Sequence, residues 1–170
     1  MQGLKEFSLP ILGMKIGQYK FEFKLDEVFL SAFEDAPYQT CNVIVDLNLD
    51  KKENHLSLEF GLNGTIQMDC DRCSDLISFP INSQNEFLVK FDENEREEDE
   101  VLYINPDSSE FNCAQIFYES LIVGLPMVKT CDDVNEKQCN PEVIKYLYQQ
   151  IEPNIPANPL SEALKNIKVN

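Results

Sequence analysis

A chain of 170 residues with 43% hydrophobic content is long enough for one domain with a core of its own. Its formal charge of −16 excludes broad lysine and arginine patches that neutralise phosphate, which disfavours a direct grip on RNA or an anionic membrane and favours a basic protein partner. The opening residues Met1 to Glu6 lack a signal-peptide pattern and no apolar run approaches the ~20 residues of a membrane helix, so the expected compartment is the cytoplasm, where six cysteines read as thiols or metal ligands and not as disulfides.

Phe7, Leu9 and Ile11 predict a short strand that Pro10 confines to a sheet edge, and Gly13 and Gly17 bracket a turn. Tyr19, Phe21, Phe23 and Leu25 alternate with Lys20, Glu22 and Lys24, the period of a strand with one wet face. Asp26 is placed to cap a helical turn carrying Val28, Phe29, Ala32 and Phe33, an aromatic group that reads as core. Cys41 to Leu49 repeat the alternation at odd positions. After a polar turn from Asp50 to His55, Leu56, Leu58, Phe60, Leu62, Ile66, Met68 and Cys70 continue it at even positions, as antiparallel neighbours in a meander. His55 reads as a solvated turn residue, not as a ligand.

Leu76 to Ile81 and Phe87 to Phe91 predict two short strands joined by a turn at Asn82 to Asn85. The run Asp92 to Glu100 holds seven acids against one arginine and reads as a solvated loop, or as an attraction for a basic partner. Val101 to Ile104 returns to strand. Asn112 and Gln115 resemble a capping pair for a helix with Ile116, Phe117, Ser120, Leu121 and Gly124 on one stripe, which Pro126 stops. Asn140-Pro141 starts another helix, with Val143, Ile144, Leu147 and Tyr148 turned inward. Pro153, Pro156 and Pro159 lead to a short amphipathic tail.

The expected fold is therefore α+β: a mostly antiparallel sheet, as a meander or partly closed barrel, with two or three short helices and a zinc-knuckle-like cysteine cluster. Residues 1–150 form the domain, with the acidic loop 92–100 inside it, and 151–170 are a proline-rich linker and tail.

Chemistry concentrates in the cysteines. Cys70-Asp71-Arg72-Cys73 places two thiols at the end of a strand, and Cys131 and Cys139 supply a second pair, giving C-x2-C and C-x7-C. Four thiolates with no open position mark a structural zinc site. A C-x-x-C also occurs as a dithiol redox motif, but that motif favours a helix N-terminus near a βαβ unit, which is missing here. Free buried cysteines are the plainest alternative, and Asp71 and Arg72 argue against it by placing the motif in an exposed turn. One histidine supports no Ser/His/Asp arrangement, and no phosphate-binding G-x-x-x-x-G-K-S/T loop is present.

The order of elements resembles the bacterial and plastid large ribosomal RNA subunit accumulation proteins, the YceD-like group. The likeness rests on the Cys-Asp-Arg-Cys turn after a long strand, the acidic loop, the helix Ile116 to Leu121 ended by Leu125-Pro126, and Cys139-Asn140-Pro141-Glu142. Ile16-Gly17 with Tyr19 to Phe23 is similar to the Bacteroidetes branch. Close relatives in that family often have a histidine near the position of Thr130 or Cys131, and many members lack the second cysteine pair; thiol and imidazole both suit zinc. The resemblance implies a non-catalytic factor in large-subunit biogenesis and 23S ribosomal RNA accumulation. Its partner would be the large-subunit precursor, reached through a basic ribosomal protein or another assembly factor. Direct RNA contact through Lys15, Lys20, Lys24 and Arg72 is the rival. A zinc-stapled interaction domain unrelated to ribosomes and a C-x-x-C dithiol oxidoreductase are the alternative functions.

Overall fold

The alternating apolar side chains build long strands, and those strands set the architecture. The computed structural model describes residues 2–34, 36–38, 40–92, 101–134 and 138–149. A 3-10 helix (Gln2–Phe7) leads into β1 (Ser8–Pro10), β2 (Gly17–Leu25), α1 (Glu27–Ser31), β3 (Thr40–Lys51), β4 (His55–Asp69) and β5 (Leu76–Phe91). β6 (Val101–Ile104), β7 (Glu110–Asn112), α2 (Ala114–Val123), a 3-10 turn (Cys131–Asp133) and α3 (Pro141–Gln149) follow.

One sheet has the order β2-β3-β4-β5-β6 and a second pairs β1 with β7. β2 to β5 form the expected antiparallel meander, while β6 lies parallel to β5. The sheet stays open between β2 and β6, so the described strands close no barrel. Odd positions of β3 face even positions of β4, as in Leu47 opposite Phe60 and Leu49 opposite Leu58, and all four side chains are buried. β1 pairs only with β7 among the described strands, so Pro10 does sit at an edge. Phe7, expected in that strand, closes the preceding 3-10 helix instead.

Asp26 caps α1, its carboxylate accepting from the N–H groups of Val28 at 3.0 Å and Phe29 at 3.3 Å. Phe7, Phe23, Phe60 and Phe117 then meet at the core, with ring centroids 5.8 Å apart for Phe7 and Phe23 and 5.0 Å apart for Phe60 and Phe117. Such pairs contribute about 0.5–1.5 kcal/mol beyond their buried area. They pin α2 across the sheet through Phe117, with Ile116, Ser120 and Leu121 buried on the same stripe.

Four local expectations are corrected. Asn82 to Asn85 is no turn: β5 runs unbroken from Leu76 to Phe91, because β4 pairs with every residue of it up to Lys90. A continuous partner strand satisfies backbone groups that a polar run would otherwise give to a turn. Asn112 does serve the start of α2, accepting from the Ala114 N–H at 2.8 Å, but Gln115 reaches forward to Glu119 and closes no capping box. α2 ends at Gly124, whose N–H donates to the Ser120 carbonyl at 3.0 Å, before Pro126 is reached. On α3, Val143 packs against the core, but Leu147 and Tyr148 are exposed, since no described element lies over that face to bury them. The acidic run beyond Asp92 and the tail from 150 onward lie outside the described residues.

Gly64 lies opposite Val43 with φ of +157°, and a Cβ there would strike the Asn42 carbonyl oxygen and come within 2.7 Å of the Val43 Cα. Both neighbours are backbone and cannot rotate away. Gly64→Ala is expected to lower the urea midpoint by an amount corresponding to on the order of 1–3 kcal/mol, the cost of a forced backbone conformation. An unchanged midpoint would show that β3 and β4 part easily at this point.

Candidate metal centre

The even register of β4 buries Leu56, Leu58, Phe60, Leu62, Ile66 and Met68 and delivers Cys70 to the same side just past the strand end. A tight reversal follows. The Cys70 N–H donates to the Asp75 carbonyl and the Ser74 N–H to the Cys70 carbonyl, each at 2.8 Å, and Ser74 takes φ of +58° to let the chain turn. A left-handed conformation costs a non-glycine residue roughly 1–2 kcal/mol, which the two bonds across the turn offset. Both sulfurs therefore leave the turn toward the segment that carries Cys131 and Cys139.

That segment is attached by polar contacts on either side of Cys131. The Asp71 N–H donates to the Lys129 carbonyl at 2.8 Å, and the Lys129 N–H returns to the Asp71 carboxylate at 2.7 Å. Arg72 donates to Asp132 at 2.6 Å. Thr130 caps the short turn, its N–H and hydroxyl both donating to Asp133 at 2.7 and 2.8 Å. Cys131 then donates its own N–H to the Cys70 sulfur at 3.3 Å.

The result brings the four Sγ atoms of Cys70, Cys73, Cys131 and Cys139 within 4.8 Å of one another. Cys70 and Cys139 are 3.8 Å apart, and Cys73 and Cys131 are 3.6 Å apart. A tetrahedral ZnS4 centre with Zn–S bonds of about 2.3 Å has sulfur–sulfur edges of about 3.8 Å, so the spacing fits that ion. Three of the cysteines are buried and Cys139 is partly exposed.

The environment separates these thiols from the rest. Burial opposes ionisation of Cys70, but the backbone N–H groups of Arg72, Cys73 and Cys131 outweigh it and bring its pKa down to about 6. Cys131 moves up, through burial and then through its contacts with the Cys73 and Cys70 sulfurs. Cys139 also moves up, for burial first and the Cys70 contact next. Without a cation, then, the surroundings favour the thiolate at Cys70 and the thiol at Cys131 and Cys139. A divalent ion reverses this, because metal ligands must be thiolates. Cys41 and Cys113 lie outside the cluster, each pushed up to about 12, chiefly by burial, and behave as small core hydrophobes.

All four cysteines singled out from the sequence meet at one point. His55 does not join them: it begins β4, at the strand's other end, with its ring 2.8 Å from Asn54. The clamp made by Asp71, Lys129, Arg72 and Asp132 escapes a linear reading, since each contact spans 58 or 60 residues. Thr130-x-x-Asp133 was open to recognition as a capping pattern.

The family described as large ribosomal RNA subunit accumulation protein YceD matches residues 58–168. The chain belongs to this family. No curated protein and no solved structure matches it. The YceD match starts inside β4 and takes in both cysteine pairs, α2 and α3. Within this YceD chain the matched part thus includes every sulfur of the cluster, while β1 to β3 precede it.

Iodoacetamide under native conditions, with chelator present, is expected to alkylate Cys139, the one partly exposed sulfur of the cluster, and to spare Cys41 and Cys113, which are buried and hold their protons tightly. Those two should react only after unfolding, as read by peptide mass spectrometry. Native labelling of Cys113 ahead of Cys139 would contradict the packing described.

Proposed function

We propose that the chain is a non-catalytic factor in large ribosomal subunit biogenesis that supports 23S ribosomal RNA accumulation, with Cys70, Cys73, Cys131 and Cys139 holding one structural Zn2+. The observation that carries this reading is that the YceD match contains all four cysteines, and that the fold gathers their sulfurs within 4.8 Å of one another from positions far apart in the chain. Soft thiolates select zinc or iron–sulfur over the hard cations, and four protein sulfurs leave no position for a reacting water. Zinc here staples the turn after β4 to the segment leading into α3. A staple needs no general base, in keeping with the distance of His55 from the cluster.

The ribosomal role has to be reached by an acidic surface of −16. A basic ribosomal protein or another assembly factor in the cytoplasm, bound to the precursor, matches that charge. Of the four basic residues that could touch RNA, Arg72 is paired with Asp132, and Lys20 and Lys24 flank Glu22 on the exposed side of β2. No helix among the described residues is long and apolar enough to cross a membrane.

Elemental analysis of protein purified without chelator is expected to give about one zinc per chain. Cys73→Ser should lower both zinc content and stability and abolish no redox turnover. Full stability in metal-free protein would remove the staple, and disulfide reductase activity lost in this variant would return the C-x-x-C to redox chemistry.

Association with large-subunit precursors should survive RNase and weaken with salt, because the screening length falls from ~10 Å at 0.1 M to ~3 Å at 1 M. Co-sedimentation in gradients reads both. Loss on RNase treatment would favour direct RNA contact, and no association at any salt would favour an interaction domain unrelated to ribosomes.

A further inference from the structure

Four sulfurs close enough to share a metal are also close enough to bond to one another, and the structure distinguishes the ways they could pair. The hydrogen-bonded sulfur pairs run between the two segments: Cys70 with Cys139 at 3.8 Å and Cys73 with Cys131 at 3.6 Å. A disulfide bond is about 2.05 Å long, so each sulfur has to move by less than about 1 Å to form one. Pairing inside the C-x-x-C turn asks for more. Its backbone is held by the bonds from Ser74 to Cys70 and from Cys70 to Asp75, and by the left-handed Ser74, while each of its sulfurs has a sulfur of the facing segment within 3.8 Å.

We propose that the cluster is a site of reversible oxidative modification, at which a peroxide converts the four thiols to the disulfides Cys70–Cys139 and Cys73–Cys131. The two segments then stay joined by covalent bonds after any metal has left.

Cys139 is the point of entry, since the other three sulfurs are buried. Its sulfur attacks one peroxide oxygen, the O–O bond breaks, and the products are a sulfenic acid and water. The Cys70 sulfur then attacks Cys139, the S–O bond breaks, and the second oxygen leaves as water once it takes up a proton. The second peroxide also enters at Cys139: the Cys131 sulfur exchanges into the Cys70–Cys139 bond and frees Cys139 to be oxidised again. Cys73 then takes Cys131 from Cys70, and the freed Cys70 closes on Cys139 with loss of water. Four thiols lose four electrons and four protons, two peroxides become four waters, and a bound divalent ion leaves with its oxidation state unchanged. A thiol reductant reverses both bonds by exchange.

Cross-segment pairing keeps what pairing within segments would give up. The contacts that otherwise hold the Cys131 segment to the turn include the Arg72–Asp132 and Lys129–Asp71 ion pairs, whose acidic partners are well exposed, and exposed pairs contribute about 0–1 kcal/mol each. Cys70–Cys139 spans 69 positions and Cys73–Cys131 spans 58, so both bonds close large loops in the unfolded chain and restrict it strongly. Cys41 and Cys113 take no part, being buried outside the cluster.

The test is a disulfide map of the full chain as purified, with metal content measured first. Two equivalents of hydrogen peroxide are added, residual thiols are alkylated in denaturant, and the protein is digested with trypsin without reductant. Arg72 separates Cys70 from Cys73 and Lys137 separates Cys131 from Cys139, so the four cysteines fall on four peptides and every pairing is distinguishable. The expected result is linkage of Cys70 to Cys139 and of Cys73 to Cys131, with free Cys41 and Cys113, and return of four thiols on adding dithiothreitol. Linkage of Cys70 to Cys73, linkage between chains, or sulfinic acid without disulfide would overturn the inference. It rests on the sulfur geometry and not on zinc. Metal-free protein that pairs as expected would sink only the zinc reading, and zinc-loaded protein that pairs within segments would sink only this one.

Discussion

The convergence of two distant segments on four sulfurs is the constraint on which the C-terminal third of this protein depends. Cys70 and Cys73 sit on a turn whose shape is locked by backbone bonds, and Cys131 reaches them across a sequence gap of 58 positions from Cys73. The surrounding ion pairs orient the approach but are too exposed to hold it. α3 follows the last cysteine and covers little of itself, with Val143 packed against the core while Tyr146, Leu147 and Tyr148 remain exposed. The helix starts directly after Cys139, where Asn140 accepts from the Glu142 N–H at 3.0 Å and from the Ile144 N–H at 3.1 Å.

The sheet acts as a ruler for that site. The apolar side chains at even positions of β4 are buried from Leu56 to Met68, so its end presents Cys70 on the core side and the turn beyond it toward the second pair. The close approach of β3 and β4 at Gly64 keeps the two strands in one register. On the same inner side Phe117 packs against Phe60 and Phe23, which sets where α2 crosses and hence where the chain emerges at Leu125 to travel toward Cys131. Removing water from these aromatic and aliphatic faces, at about 25 cal/mol per Å2 of apolar surface, is what makes the ruler rigid.

Membership of the YceD family and an acidic surface look contradictory if the ribosome is considered only as RNA. They agree in the proposed reading, where the partner is a basic protein on the precursor, since the same charge that repels phosphate attracts lysine and arginine. If the four sulfurs hold the proposed zinc, the closed site would add a stable platform to that picture. Oxidation of the cluster would change the bond that maintains the platform and leave the acidic surface as it was.

The linear chain by itself determined the strands with strict alternation, the Asp26 cap, the proline start of α3 and the four cysteines as a set. Each is a matter of period or of near neighbours, and the physics of a pleat or a cap acts within a few residues. Cys41 and Cys113 could not be separated from the ligand set by type, only by position, because burial away from the other sulfurs makes them core residues. The Asn82 to Asn85 stretch carries turn residues and is nevertheless strand, since β4 runs beside it without a break. Leu147 and Tyr148 lie on an apolar helical face and are nevertheless exposed, because a periodic pattern states which side is apolar and not whether anything covers it. Tertiary structure alone decided that the two cysteine pairs meet, because closure over 58 and 69 positions is set by how β4, α2 and the clamp at Asp71 fit together, and no local preference reaches that far.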